Sequence, residues 1–182
     1  MRDPRVSDEA APRLDLRQVL ISDPDAQALI EQVQEEYVVR YGGRDESPID
    51  HSEFVTPHGA FFVGHLDAVP VVSGAWRRRS QVEFAGTTRT AEIKRMYVVP
   101  AARGLGLARR MLAHLEATAL AAGAEAMVLE TGLMQPEAIA LYESSGYVTI
   151  PGFGHYRHSD VNRCFGKPLV SPACPADTPH HE

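Results

Sequence analysis

Two apolar, β-branched runs, Ala60 to Leu66 and Val69 to Trp76, are separated only by Asp67-Ala68. A two-residue link can reverse a chain but cannot carry a crossover, so these runs predict an antiparallel hairpin. The rest of the chain must be laid against it. Leu14 to Leu20 alternates apolar and charged residues like a half-buried first strand. From Pro24, with Ser22 or Asp23 as cap, Ala26, Leu29, Ile30, Val33 and Tyr37 recur at helical spacing until Gly42-Gly43. Gly43 to Gly59 is a polar, irregular loop, and Arg89 to Val99 is a third extended run after a turn around Gly86. A helix from about Gly104 to Ala122 carries Leu105, Ala108, Leu112, Leu115 and Ala119 on one stripe and stops at Gly123. Met127 to Thr131 reads as a buried strand, Pro136 to Ser145 as a helix ended by Gly146, and Tyr147 to Ile150 as a strand. Asn162 to Leu169 is a last strand able to close the sheet. This order predicts a mixed α/β (α+β) fold: a mostly antiparallel sheet of six to seven strands with helices on both faces.

The 182 residues, 44% hydrophobic and 23% charged, suit one globular domain, placed at 13–170 between N-terminal and C-terminal tails at 1–12 and 171–182. Eighteen Lys and Arg against 24 Asp and Glu leave a charge of −6, which offers no global attraction to nucleic acid or anionic lipid. No apolar stretch is long enough for a membrane span, and the N-terminus lacks the apolar core of a signal peptide. Cys164 and Cys174 cannot build a disulfide scaffold, so a reducing cytoplasm is the expected compartment.

Chemistry becomes legible at Val98-Val99-Pro100-Ala101-Ala102-Arg103-Gly104-Leu105-Gly106-Leu107-Ala108. Here a strand passes into a helix through Pro, Gly and small residues, with no Ser, Thr, Asp or Asn to cap the first amides. A helix start leaves those donors unpaired and adds roughly half a positive charge, which favours anions. Ile93 to Arg110 contains Lys94, Arg95, Arg103, Arg109 and Arg110 and no acid. The segment is not a Walker loop, because no Lys-Ser/Thr follows the glycines, and it lacks the acidic ribose ligand of a dinucleotide fold. The residues alone leave two readings open, a phosphate cradle and a plain tight turn.

Arg103 to Ala108 matches the pattern R/Q-x-x-G-x-G/A, and Ala138-Ile139-Ala140-Leu141-Tyr142-Glu143-Ser144-Ser145-Gly146-Tyr147 matches A-x-x-L-Y-x-x-x-G-F/Y. In both blocks and in element order, from about Leu14 to Leu169, the chain resembles the GNAT family of N-acetyltransferases. The resemblance implies that the amides of Arg103, Gly104, Leu105, Gly106, Leu107 and Ala108 hold the pyrophosphate of acetyl-CoA. Pantetheine would then run along Met96, Tyr97 and Val98 where two strands splay apart. An amide at or next to Met96 would bond the thioester oxygen, a contact worth about 3 kcal/mol in the transition state. Gln135 stands where the family often has an Asn contacting the coenzyme.

An amine attacks a thioester only when neutral, so a base is useful. Glu92 holds the position of the family's strand glutamate and is the first candidate. Glu130, at the end of the next strand, is a rival, and Glu92 could instead pair with Lys94 or Arg89 at an exposed edge. Strand parity places Glu92, Lys94, Met96 and Val98 on one face and Ile93, Arg95 and Tyr97 on the other. The resemblance makes the Tyr142 hydroxyl the donor to the departing sulfur; packing is its alternative role.

His155 and His158 lack the further ligands of a zinc site, and no metal is expected. Cys164 reads as a core thiol. Arg77-Arg78-Arg79 reads as a solvated turn unless Arg77 projects toward the cleft. Gly152 to Tyr156 reads as a loop near the acceptor. Tyr37 and Tyr41, with Asp45, Glu46, Asp50 and Glu53, are candidates for contacting a cationic amine. The expected activity is acetyl transfer to a primary amine of a small molecule or peptide, without nucleic acid or membrane, in a fold that often pairs into homodimers. A non-catalytic acyl-CoA sensor and a phosphoryl-transfer enzyme using the same turn are the alternatives.

Overall fold

A computed structural model describes residues 13–169. The segments read above as tails lie outside the described residues, as does Cys174. The elements are β1 (Asp15–Val19), α1 (Pro24–Tyr41), a 3-10 turn (His51–Phe54), β2 (Gly59–Leu66), β3 (Val69–Arg78), β4 (Thr90–Val98), α2 (Leu107–Ala121), β5 (Ala126–Gly132), α3 (Pro136–Ser144), β6 (Val148–Ile150) and β7 (Asn162–Pro168). They build a seven-stranded sheet in the order β1-β2-β3-β4-β5-β7-β6. Only β4 and β5 run parallel, joined by α2 as the crossover. The last strand does not close the sheet at its rim; β7 inserts between β5 and β6, leaving short β6 at the edge. Among the described residues, no helix is long and apolar enough to cross a membrane.

α1 begins because Asp23 accepts from the amide of Asp25 at 2.9 Å with Pro24 in the first turn, and it ends at Gly42 in the left-handed region. It covers one face of the sheet through Ala26, Leu29 and Val33, which pack with Phe54, Phe61, Val63, Ala75 and Tyr97. α2 covers the opposite face through Leu107, Met111, Leu112, Leu115 and Ala119, against Phe62, Val72, Ile93, Met127, Leu129 and Phe165. Each fully buried Leu or Met there contributes about 1.5–3 kcal/mol. Gly74 on β3 permits the close approach: a Cβ there would stand 2.8 Å from Met111 Cγ. Leu105 is not on the α2 stripe. The helix starts two residues later, so Leu105 is 58% exposed and Leu107 and Met111 take its place in the core.

β4 carries a bulge that simple parity misses. Ser73 pairs with Tyr97 and Ala75 with Lys94, so β4 spends one residue more than β3 over the same stretch, and Arg95 adopts φ 55°. The extra residue reverses the alternation. Ile93, Met96 and Val98 all pack toward α2, whereas Tyr97 joins the α1 core.

Candidate active site

β4 and β5 pair only from Thr90↔Ala126 to Ile93↔Leu129. Beyond that point β5 continues to Gly132 on its β7 side, and β4 runs on to Val98 with its other edge on β3. The two strands part, and the opening is a cleft of about 970 Å³ lined by Met96, Tyr97, Val98, Gly104, Leu107 and Tyr142, among others. The turn from β4 to α2 forms one end. Gly104 and Gly106 have φ of 80° and 73°, a conformation that suits glycine, and a Cβ on either would meet no atom within 4 Å. No side chain caps α2, and its first backbone bond is donated by Arg110 to Gly106 O at 3.2 Å. The amides from Gly104 through Arg109 have no hydrogen-bond partner among the described residues. Arg103 leans back instead: Nε donates to Val98 O at 3.0 Å, Nη2 pairs with Glu36 on α1, and the guanidinium lies 5.8 Å from the Tyr97 ring centroid.

Tyr142 lines the other wall. Its ring packs edge-on to Tyr147 at 5.5 Å and near Phe165 at 6.3 Å. Burial, with a smaller contribution from Tyr37, pushes its hydroxyl pKa well above the usual phenol value. Tyr37, also on the cleft, is raised to about 12, chiefly by burial and against the pull of Arg95. Both are protonated at neutral pH and can donate. Gln135 lines the cleft and donates to Tyr41 Oη at 3.2 Å.

The two candidate carboxylates are separated by the tertiary structure. Glu92 is fully buried and does not line the cleft; it accepts from Arg77 Nε at 2.9 Å, with Arg79 Nε at 3.4 Å and Lys94 Nζ at 3.6 Å. Its partners are not an exposed edge but a buried cationic cluster. Arg77 is buried as well, held also by Glu53 at 2.5 Å, so of the arginine run only Arg78 is exposed as a solvated turn would require. Glu130, one residue past the last β4–β5 pair, does line the cleft. Asn162 donates to it at 3.2 Å, and Gly154, at φ 76°, lies so close that a Cβ would stand 2.5 Å from Glu130 Oε2 and displace the carboxylate. Burial is the largest influence on Glu130 and raises its pKa; Glu92 adds to the rise, while Lys94, Asn162 and the Tyr156 amide oppose it.

Two loops are tied to the bulge beside this carboxylate. Arg95 Nη1 donates to Asp45 Oδ2 at 2.7 Å, Asp45 Oδ1 accepts from Tyr156 Oη at 3.1 Å, and the Glu46 amide donates to that same hydroxyl at 2.9 Å. Burial would raise the Asp45 pKa, but the Ser47 hydrogen bonds, Arg95 and Lys94 hold it below the usual carboxylate value. Asp45, Glu46, Tyr37 and Tyr41 reach the cleft, whereas Asp50 caps the 3-10 turn through Ser52. Asn162 and the Arg95–Asp45–Tyr156 chain were invisible in the sequence, because the bulge and long-range loop contacts create them. His155 stacks edge-on to Tyr156, and His158 accepts from Arg157, away from any shared ligand set.

The sequence matches the family model described as Acetyltransferase (GNAT) family over residues 26–147. The chain belongs to the GNAT acetyltransferase family. It is 44% identical over 78 residues to an "IAA acetyltransferase" of Azospirillum brasilense, an alignment covering 43% of this chain, and it spans only about half (51%) of that curated relative's length. Among solved structures, a Klebsiella pneumoniae protein assigned as an acyl-CoA N-acyltransferase superposes with TM-score 0.70 at 26% identity, covering 86% of this chain and 98% of its own. YncA of Salmonella typhimurium, assigned as an acetyltransferase and solved with its cofactor acetyl-CoA, superposes with TM-score 0.61 at 20% identity, covering 91% of this chain and 99% of its own.

Proposed function

We propose that the protein transfers an acetyl group from acetyl-CoA to a primary amine by direct attack in a ternary complex. The observation that carries this reading is the row of unpartnered amides from Gly104 to Arg109, opening onto the cleft where β4 leaves β5. Such a row fits a diphosphate, because uncapped amides and the helix dipole both favour an anion. The unpaired β4 edge from Lys94 to Val98 fits an extended, amide-bearing arm that adds to the sheet like a strand. The Salmonella relative's bound acetyl-CoA supports the choice of coenzyme, while the Azospirillum relative's acceptor is not carried over.

Glu130, rather than Glu92, takes the proton from the amine in this reading, either directly or through water, a role supported by its opening onto the cleft. Tyr142 stabilises the leaving sulfur by hydrogen bonding. Full proton transfer from it is unfavourable, since an ordinary thiol has a pKa of about 8.5 and this buried phenol lies well above the usual tyrosine value. The presence of Glu130 and Tyr142 on one cleft favours a catalyst over an acyl-CoA sensor.

Isothermal calorimetry with coenzyme A tests the reading. Wild type is expected to bind, and Gly104→Ala to bind at least about tenfold more weakly. The added methyl meets no protein atom within 4 Å, and its left-handed strain of about 1–2 kcal/mol should cost only a few degrees of melting temperature. A folded wild type that gives no heat with coenzyme A sinks the proposal.

A further inference from the structure

Where β4 and β5 part, two cations hold donors that no protein group takes. Lys94 directly follows Ile93, the last β4 residue paired with β5, and lines the cleft. Its side chain is only 11% exposed, yet the nearest carboxylate oxygen, Glu92 Oε1, lies 3.6 Å away. Arg77 at 2.9 Å and Arg79 at 3.4 Å both meet the other oxygen, Oε2, and the pairing of Oε1 with Lys94 is longer than a hydrogen bond. The Lys94 ammonium therefore makes no hydrogen bond among the described residues. Arg95 beside it is 7% exposed; Nη1 is taken by Asp45 at 2.7 Å, while Nε is buried without a partner. Withdrawing cations from water without full pairing is unfavourable, and a site that does so is suited to receiving an anion. Glu130 stands at the matching position on β5, immediately after Leu129.

We propose that the acceptor is a small amino acid, whose primary amine meets Glu130 and whose carboxylate is held by Lys94, with Arg95 behind it. This rests on the acetyltransferase reading above and specifies its acceptor. The charges balance: a zwitterion gives Lys94 the hydrogen-bond acceptor that Glu92 at 3.6 Å does not, and brings its amine to Glu130, the carboxylate at the strand parting. Lys94 also disfavours the ammonium form of a nearby amine, which readies the nucleophile. Polyamines would bring further positive charge against the same two side chains. In the step itself the ammonium first gives one proton to water, the neutral amine nitrogen bonds to the thioester carbon and passes a second proton to Glu130, and the C–S bond breaks with its electron pair leaving on sulfur, where the Tyr142 hydroxyl donates to the thiolate.

The test measures kcat/KM for coenzyme A release with L-amino acids and their matching carboxamides, alongside coenzyme A binding. The amide has the more easily deprotonated amine, so a preference for the acid cannot come from amine basicity. Wild type is expected to prefer the acids by at least about tenfold, expressed mainly in KM. Lys94→Gln should bring the ratio to within about twofold, and Lys94→Arg should restore most of it. Equal use of acid and amide by wild type overturns the proposal, as does a Lys94→Gln variant that slows both alike with its ratio intact. Coenzyme A binding with turnover of amines but no acid preference sinks the acceptor class alone; absence of coenzyme A binding sinks the transferase reading itself.

Discussion

Glu92 and Glu130 sit on neighbouring strands, one sealed among cations and the other open to the cleft. Their distinction rests on which side of the strand parting each occupies. If Glu130 is the base, Glu130→Gln should lower kcat by about 100-fold or more while leaving coenzyme A affinity near wild type. The wild-type rate should fall toward acid pH with an apparent pKa above the ordinary carboxylate value, because burial raises it in the folded protein. The same shift has a stability consequence. A carboxyl whose folded pKa exceeds its unfolded value favours the folded state fully below the unfolded value and loses that contribution as pH rises through the folded one. Glu130→Gln removes that loss, so the variant should melt above wild type at about pH 8, with the gap closing near about pH 4. A gap that does not change with pH would refute the assignment.

At the scale of elements, the last turns of α1 are strapped across the cleft mouth. Glu36 pairs with Arg103 on the turn from β4 to α2 and lies 3.7 Å from Arg40, which reaches Glu137 on α3 at 2.5 Å and Met134 O at 2.8 Å. Glu36 thus occupies the arginine that directly precedes the amide row and places a negative charge beside it. Glu36→Gln should tighten coenzyme A binding by about 2- to 5-fold at low salt, the range that a partly exposed pair worth up to about 1 kcal/mol allows. The gain should shrink as salt is added. Calorimetry at two ionic strengths measures both effects, and weaker binding by the variant would show that Glu36 positions Arg103 instead of competing for it.

Across the whole molecule, buried Arg77 and Glu92 with the partly exposed Glu53 join β3, β4 and the 3-10 turn. Removing one member of such a network leaves an uncompensated buried charge, at a cost of about 3–5 kcal/mol. Glu92→Ala should therefore lower the melting temperature by roughly 6–20 °C for a chain of this size, while the folded variant keeps kcat on the high-pH plateau within about tenfold of wild type, since Glu92 touches Lys94 and biases Glu130 without taking the proton. A large loss of kcat in fully folded Glu92→Ala would return the base to Glu92.

Elements and the uncapped turn from β4 to α2 were legible because they are local. The hairpin followed from Asp67-Ala68, the start of α1 from Asp23 and Pro24, and the open helix start from glycines with no capping side chain. Leu105 and the β4 parity were misread because one helix boundary and one inserted residue reverse which face a side chain takes. The burial of Glu92, the opening of Glu130 onto the cleft and the loosely paired Lys94 required the folded chain. Each depends on where the hydrogen bonding of β4 to β5 stops and on which charges distant loops bring to that point. Spacing along a chain records periodicity; it does not record which ionic groups share a dry interior, and that neighbourhood sets what each carboxylate and amine can do.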